Sequence, residues 1–276
     1  MDNLLSDVLS NVQFSAVYNM LSLGIASMLF TSIFLWVARD RVLPKYRMAV
    51  MVSATVTSIA AYHYFRMFDS FSEAYGGVHE GPVPAAVQAF AHYNVGYRYI
   101  DWFLTVPLLL VELVAVLGLA KAVSSSLLKR LVPAAALMIA LGYPGDAKLD
   151  LLPMAAGGWG GEAAVWGLLS TIPFLYIMYV LWFEMKKSLD SQSARVVSLF
   201  QTLRVLLIAT WGVYPITFIL SMNSGAIPEA GEVVAREVGY TIADILAKCA
   251  FGLIIFAIAR IKSAEESKEH AASEGH

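Results

Sequence analysis

Charge is what this 276-residue chain has least of: 14% of its residues are Asp, Glu, Lys or Arg, against 58% hydrophobic. Soluble domains carry about 25% charged residues. The chain has too few to cover a water-facing surface, which argues against a soluble enzyme. Cysteine is almost absent. The single Cys249 cannot form an internal disulfide, and in its apolar segment it reads as a small buried hydrophobe. Basic charge is not in excess either: the net charge is -2 and the pI about 6.2, leaving no positive field for nucleic acid. The start, Met1-Asp2-Asn3-Leu4-Leu5-Ser6-Asp7, has no basic stretch ahead of an apolar run, so no standard cleavable signal is expected. No metal site is expected.

Long apolar runs are what the chain does have, with a mean hydropathy of +0.65. They are too continuous for barrel strands, which alternate over about ten residues. They suit helices that each cross a bilayer with about 20 apolar residues. A window of about 19 residues predicts an all-α bundle of seven transmembrane helices within residues 1–262, near 14–38, 46–68, 95–119, 126–144, 162–184, 199–222 and 235–261, followed by a polar cytoplasmic tail, 263–276. Punctuation supports the cuts: Gly76-Gly77 and Pro82-Val83-Pro84 after the second span, Pro144-Gly145 at the end of the fourth, Gly157-Gly158-Trp159-Gly160-Gly161 before the fifth. The loops after spans one, three and five and the tail hold 14 basic residues, Arg204 counted among them, whereas Arg66, Lys148 and Arg236 fall on the other side. This bias predicts an N-terminus outside and a C-terminus in the cytoplasm. No inverted repeat is visible.

The two remaining basic residues, Arg98 and Lys248, lie within spans. Ionisable groups inside a bilayer are costly and usually functional. In span seven, Asp244 and Lys248 are four apart and share a face; Lys248 is too deep to reach either surface comfortably. In span three, Asp101 and Glu112 point within about 20° of one direction, with Arg98 and Thr105 near the same stripe. From Arg98 to Glu112 the stripe covers about 21 Å of depth. The predicted orientation puts Arg98 and Asp101 in the outer half and Glu112 in the cytoplasmic half. Arg98 and Lys248 balance Asp101 and Asp244, which leaves Glu112 alone among Leu110, Val111 and Leu113 and expected to be protonated at rest. A purely structural set of pairs pinning the helices is the competing reading.

At these residues the chain resembles the microbial rhodopsins, in particular the proteorhodopsin and xanthorhodopsin group of light-driven proton pumps. Arg98-Tyr99-x-Asp101-Trp102-x-x-Thr105-x-Pro107-Leu108-Leu109 and Asp244-x-x-x-Lys248 carry the resemblance, which extends over all seven spans. It implies all-trans retinal held covalently on Lys248 as a Schiff base. It further implies Asp101 as counterion and proton acceptor, Asp244 as second counterion, Thr105 bonded to the acceptor, and Glu112 as proton donor. Asp, Thr and Glu at 101, 105 and 112 match the proton pumps, whereas the family's sodium pumps carry Asn, Asp and Gln. His63 matches the group's histidine that pairs with the acceptor. Met138 and Gly142 on span four, Trp166, Gly167, Ser170, Thr171 and Phe174 on span five, and Trp211, Tyr214, Pro215 and Phe218 on span six match the retinal box together with Trp102. Leu109 stands at the spectral tuning position, where Leu implies green absorption. Gly167 implies a slot for a carotenoid antenna, a hydroxylated carotenoid, although a small residue easing helix packing explains it equally. Glu229, Glu232, Arg236 and Glu237 do not match a known release group by spacing, and none is assigned.

The implied function is an outward proton pump in the cell membrane, a bacterial inner membrane, that is a transporter and not an enzyme. Membrane lipid and further copies of the chain are the expected partners, without an obligatory protein transducer. Two rivals remain open. One is a photosensor that signals through a transducer, against which Glu112 argues; the other is a proton-coupled carrier that uses Asp244 and Lys248 without light.

Overall fold

The computed structural model describes residues 8–77, 84–152, 161–190, 192–222 and 229–274. Regular structure among them is all helical, and seven stretches are long and apolar enough to cross a membrane: Asn11–Arg41, Pro44–Tyr75, Gly96–Leu117, Lys121–Asp146, Gly161–Glu184, Ala194–Ile219 and Ala230–Ser273. These are spans one to seven. A short helix, Ala85–His92, lies between spans two and three. The expected breaks at Pro82-Val83 and Gly157–Gly160 fall outside the described residues.

Local chemistry sets the ends. Ser10 caps span one in a reciprocal box with Gln13, each side chain bonding the other's backbone N–H at 3.3 and 2.9 Å. Span three closes at Gly118, whose φ of 61° is left-handed; a Cβ there would also press on the Tyr46 ring at 3.2 Å. The freed Leu117 carbonyl accepts from Lys262 Nζ at 2.8 Å. Pro144 sits within the last turn of span four, which closes at Asp146. The polar residues after Lys262 continue the seventh helix to Glu274, tied back where Ser263 accepts from the Leu43 N–H at 2.9 Å and Tyr46 donates to Glu266.

Three irregularities shape the interior. Pro215 has no N–H for the Trp211 carbonyl, and span six breaks at Gly212 into Ala194–Trp211 and Val213–Met222. Span five contains a π turn at Val180–Glu184, and span seven another at Ile245–Ala250. Such turns add one residue to a helix, rotate its next stretch about the axis, and often mark functional sites. Lys248 lies in the second.

Spans three and seven are the innermost. In each, 61% of the most apolar window is buried, against 28% for span one and 22% for spans four and five. The two spans that carry the ionisable stripe are thus the two that protein shields best from lipid. Arg204, assigned from the sequence to the loop after span five, lies inside span six and is buried. It drops out of the loop count.

Candidate functional site

Lys248 Nζ lies 2.8 Å from Asp244 Oδ1 and 3.0 Å from Asp101 Oδ2. All three side chains are buried, and Asp101 and Asp244 are completely so. One amine therefore faces two carboxylates from different spans, brought together because spans three and seven pack at the centre.

The two acids are not equivalent. Asp244 Oδ1 accepts from Tyr214 OH at 2.6 Å and Trp102 Nε1 at 3.2 Å as well as from the amine, while Oδ2 accepts from Tyr64 OH at 2.9 Å. Arg98 Nη1 lies 3.7 Å from Oδ2. These donors fill the lone pairs and hold the charge in place. Asp101 has no comparable support: beyond its ion contact with Lys248, neither oxygen accepts a hydrogen bond among the described residues. A proton leaving the amine finds room on Asp101 and little on Asp244.

The other polar residues near the stripe make contacts of their own. Thr105 donates to the backbone carbonyl of Asp101 at 2.8 Å, not to its carboxylate. His63 is buried edge-on against Tyr62, its Nδ1 unpartnered, and no hydrogen bond joins it to Asp101 among the described residues. Glu112 is fully buried, and among the described residues neither oxygen accepts a hydrogen bond of good geometry. Ser53 lies beside it with its hydroxyl directed to the Ala49 carbonyl at 3.2 Å. Eleven residues separate Glu112 from Asp101, about 16 Å along the helix.

Arg98 turns its other nitrogen away from the amine, to Glu237 Oε2 at 2.5 Å. Tyr93 donates to the same oxygen at 2.8 Å, and Arg236 Nε meets Oε1 at 3.2 Å. Arg98 thus links Asp244 to a second buried carboxylate. Spacing from Asp244 alone did not reveal this cluster, because its members come from separate parts of the chain. Tyr64 and Tyr240 were also missed, although Tyr240 is four residues before Asp244 on the same face.

Beside the amine opens a cavity of about 420 Å³, within the range of small-molecule sites. Trp102, Leu109, Met138, Gly142, Gly167, Ser170, Thr171, Phe174, Trp211, Tyr214, Pro215 and Phe218 all line it, with Asp244 and Lys248. Trp166 does not; its indole donates to Glu162 at 2.7 Å. Trp102 stands edge-on to Tyr214, Tyr240 and Tyr99 with centroids 4.7, 5.4 and 5.2 Å away. Gly142 and Gly167 leave space for neighbours: a Cβ at Gly167 would come within 2.7 Å of the Phe218 ring. A mostly apolar cavity lined by an amine, with two acids beside that amine, fits an apolar aldehyde such as retinal, held by condensation.

Comparison with known proteins gives the family. A family model described as bacteriorhodopsin-like protein matches residues 15–262. Green-light absorbing proteorhodopsin from a gamma-proteobacterium (EBAC31A08) is 31% identical over 237 residues, 85% of this chain and 82% of that protein. Bacteriorhodopsin from Halobacterium salinarum is 30% identical over 179 residues, 64% of this chain and 62% of its own. Among solved structures, that of xanthorhodopsin, a light-driven ion pump with dual chromophore, superposes with a TM-score of 0.82 at 44% identity, covering 95% of this chain and 99% of the other.

Proposed function

The chain belongs to the bacteriorhodopsin-like family, and we propose that it is a light-driven pump that moves protons outward across the cell membrane. It is a multi-pass membrane protein, a transporter and not an enzyme. The observation that carries the proposal is the amine of Lys248 between Asp101 and Asp244, with Glu112 buried alone farther along span three.

Lys248 would hold retinal by condensation of its amine with the aldehyde and loss of water; the polyene would supply the light absorption, and the nitrogen that carries the proton is Lys248 Nζ itself. The protein supplies the direction. Asp244, saturated with donors, stays charged and keeps the cation in place. Asp101, with unfilled lone pairs, takes the proton. Arg98 lies on the side away from Glu112 and, with a nitrogen on each of Asp244 and Glu237, offers a charge that answers the neutralisation of Asp101. Glu112, held as a neutral acid by its apolar surroundings, replaces the lost proton and refills from the cytoplasm. The loop basic residues support the outward direction. Lipid and further copies of the chain are the partners this reading expects, and no transducer.

The finer part of the proposal is a carotenoid antenna. The resemblance to a dual-chromophore pump and the glycine at 167 support it. The space above Gly167 is filled by the Phe218 ring, so a carotenoid ring has to displace that side chain to enter.

Cells expressing the chain with all-trans retinal, suspended in weak buffer and illuminated, test the function. Sustained acidification that an uncoupler abolishes is expected. A coloured protein without acidification favours the photosensor, and a colourless one favours the carrier.

A further inference from the structure

Arg204 is a cation buried within the helix bundle, and no carboxylate pairs with it among the described residues. It lies ten residues into span six, about 15 Å from the helix start, and is 4% exposed. Its partners are neutral: Nη2 donates to the Trp182 carbonyl of span five, Nη1 to Gln201 Oε1 at 3.0 Å, and the guanidinium stacks over the Trp182 ring at 4.2 Å.

Trp182 lies within the π turn of span five. There Met185 N–H reaches back five residues to the Val180 carbonyl at 3.1 Å, and a turn of this kind leaves one carbonyl without its helical donor. Trp182, inside the turn, offers its carbonyl across to span six. The same turn ends at Glu184, which Arg130 of span four grips at 2.8 and 3.1 Å. Span five is fixed from one side and holds span six from the other.

We propose that Arg204 is a positioning residue, the latch that keeps the first half of span six closed on span five in the dark. The inference rests on the light-driven pump reading and adds to it that span six, broken at Gly212, swings to admit water toward Glu112. A neutral acceptor suits a latch that must open and close in every cycle. A carboxylate partner would make release leave two opposite buried charges unpaired, whereas the Trp182 carbonyl and Arg204 can each exchange their bond for water. The planar fork and the ring stack are specific to arginine.

The test uses the full-length pigment with nitroxide labels on Ser198→Cys and Lys121→Cys, positions at the same end of spans six and four. Native Cys249 is buried, so the introduced thiols are the accessible ones. Label distances are measured in the dark and after trapping under illumination. R204Q is expected to leave the dark distance and the visible band unchanged and to raise the open share in the light about tenfold, as loss of one charge-assisted hydrogen bond would. R204K, which keeps the charge and one donor but not the stack, is expected to fall between R204Q and the parent. A light-dependent distance change that both variants leave untouched overturns the latch. A parent protein with no distance change in the light also overturns the latch, whereas a parent that fails to acidify the medium in the light overturns the pump reading beneath it.

Discussion

The Tyr214 hydroxyl of span six donates to Asp244 Oδ1 of span seven at 2.6 Å. Together with Tyr64 and Trp102 it makes Asp244 the saturated member of the acid pair, and leaves Asp101 as the member with room for a proton. The two acids share one amine but are built for different tasks, and the difference is testable.

Asp101→Asn removes the acceptor and is expected to abolish light-driven acidification while the pigment still forms. Asp244→Asn strands Tyr214, Trp102, Tyr64 and Arg98 around a neutral group. The loss for such a broken buried cluster is about 4 kcal/mol, against about 2 kcal/mol for Asp101→Asn, where one charged contact is lost to an amine that Asp244 still pairs. Thermal bleaching in the dark compares them, and equal midpoints contradict the asymmetry.

Glu112→Gln keeps size and burial but cannot release a proton. Its colour is expected to stay close to the parent's, because about 16 Å of helix separates it from Asp101. Reprotonation of the chromophore nitrogen, tracked by flash photolysis at neutral pH, is expected to slow about 100-fold. An unchanged rate removes Glu112 from the path.

Gly167→Trp fills the cavity wall with an indole where even a Cβ would press on Phe218. With a hydroxylated carotenoid added to the parent pigment, carotenoid bands are expected in the excitation spectrum for retinal emission, and the variant is expected to lose them. A parent spectrum without those bands refutes the antenna and leaves the pump intact.

Much of this was legible in the sequence. Long apolar runs mark the seven spans but not their polar ends, and Asp244 with Lys248 at a four-residue interval needs only helical periodicity to share a face. The cavity lining came from the resemblance, and aromatic spacing on span six agreed with it. Contacts between spans were less legible, since periodicity says nothing of how one helix is rotated against another. Arg98 and Glu237 are 139 residues apart, and only folding shows that they meet. Arg204 looked like a loop cation because its segment begins with polar residues. The π turns have no sequence signature here, and each shifts the helical phase by one residue. Trp166 was read onto the cavity face with Gly167, and its indole instead turns to Glu162. Thr105 is one turn from the acceptor, yet its hydroxyl bonds the Asp101 backbone carbonyl, and no hydrogen bond joins His63 to Asp101 among the described residues.

The most direct test of the account is chemical. The pigment is reduced with borohydride, digested, and the retinyl group located by peptide mass spectrometry. An adduct on Lys248, absent together with the visible band in Lys248→Ala, is the predicted result. A retinyl group on another residue, or a Lys248→Ala protein that still forms a coloured covalent pigment, contradicts the site on which every proton step here depends.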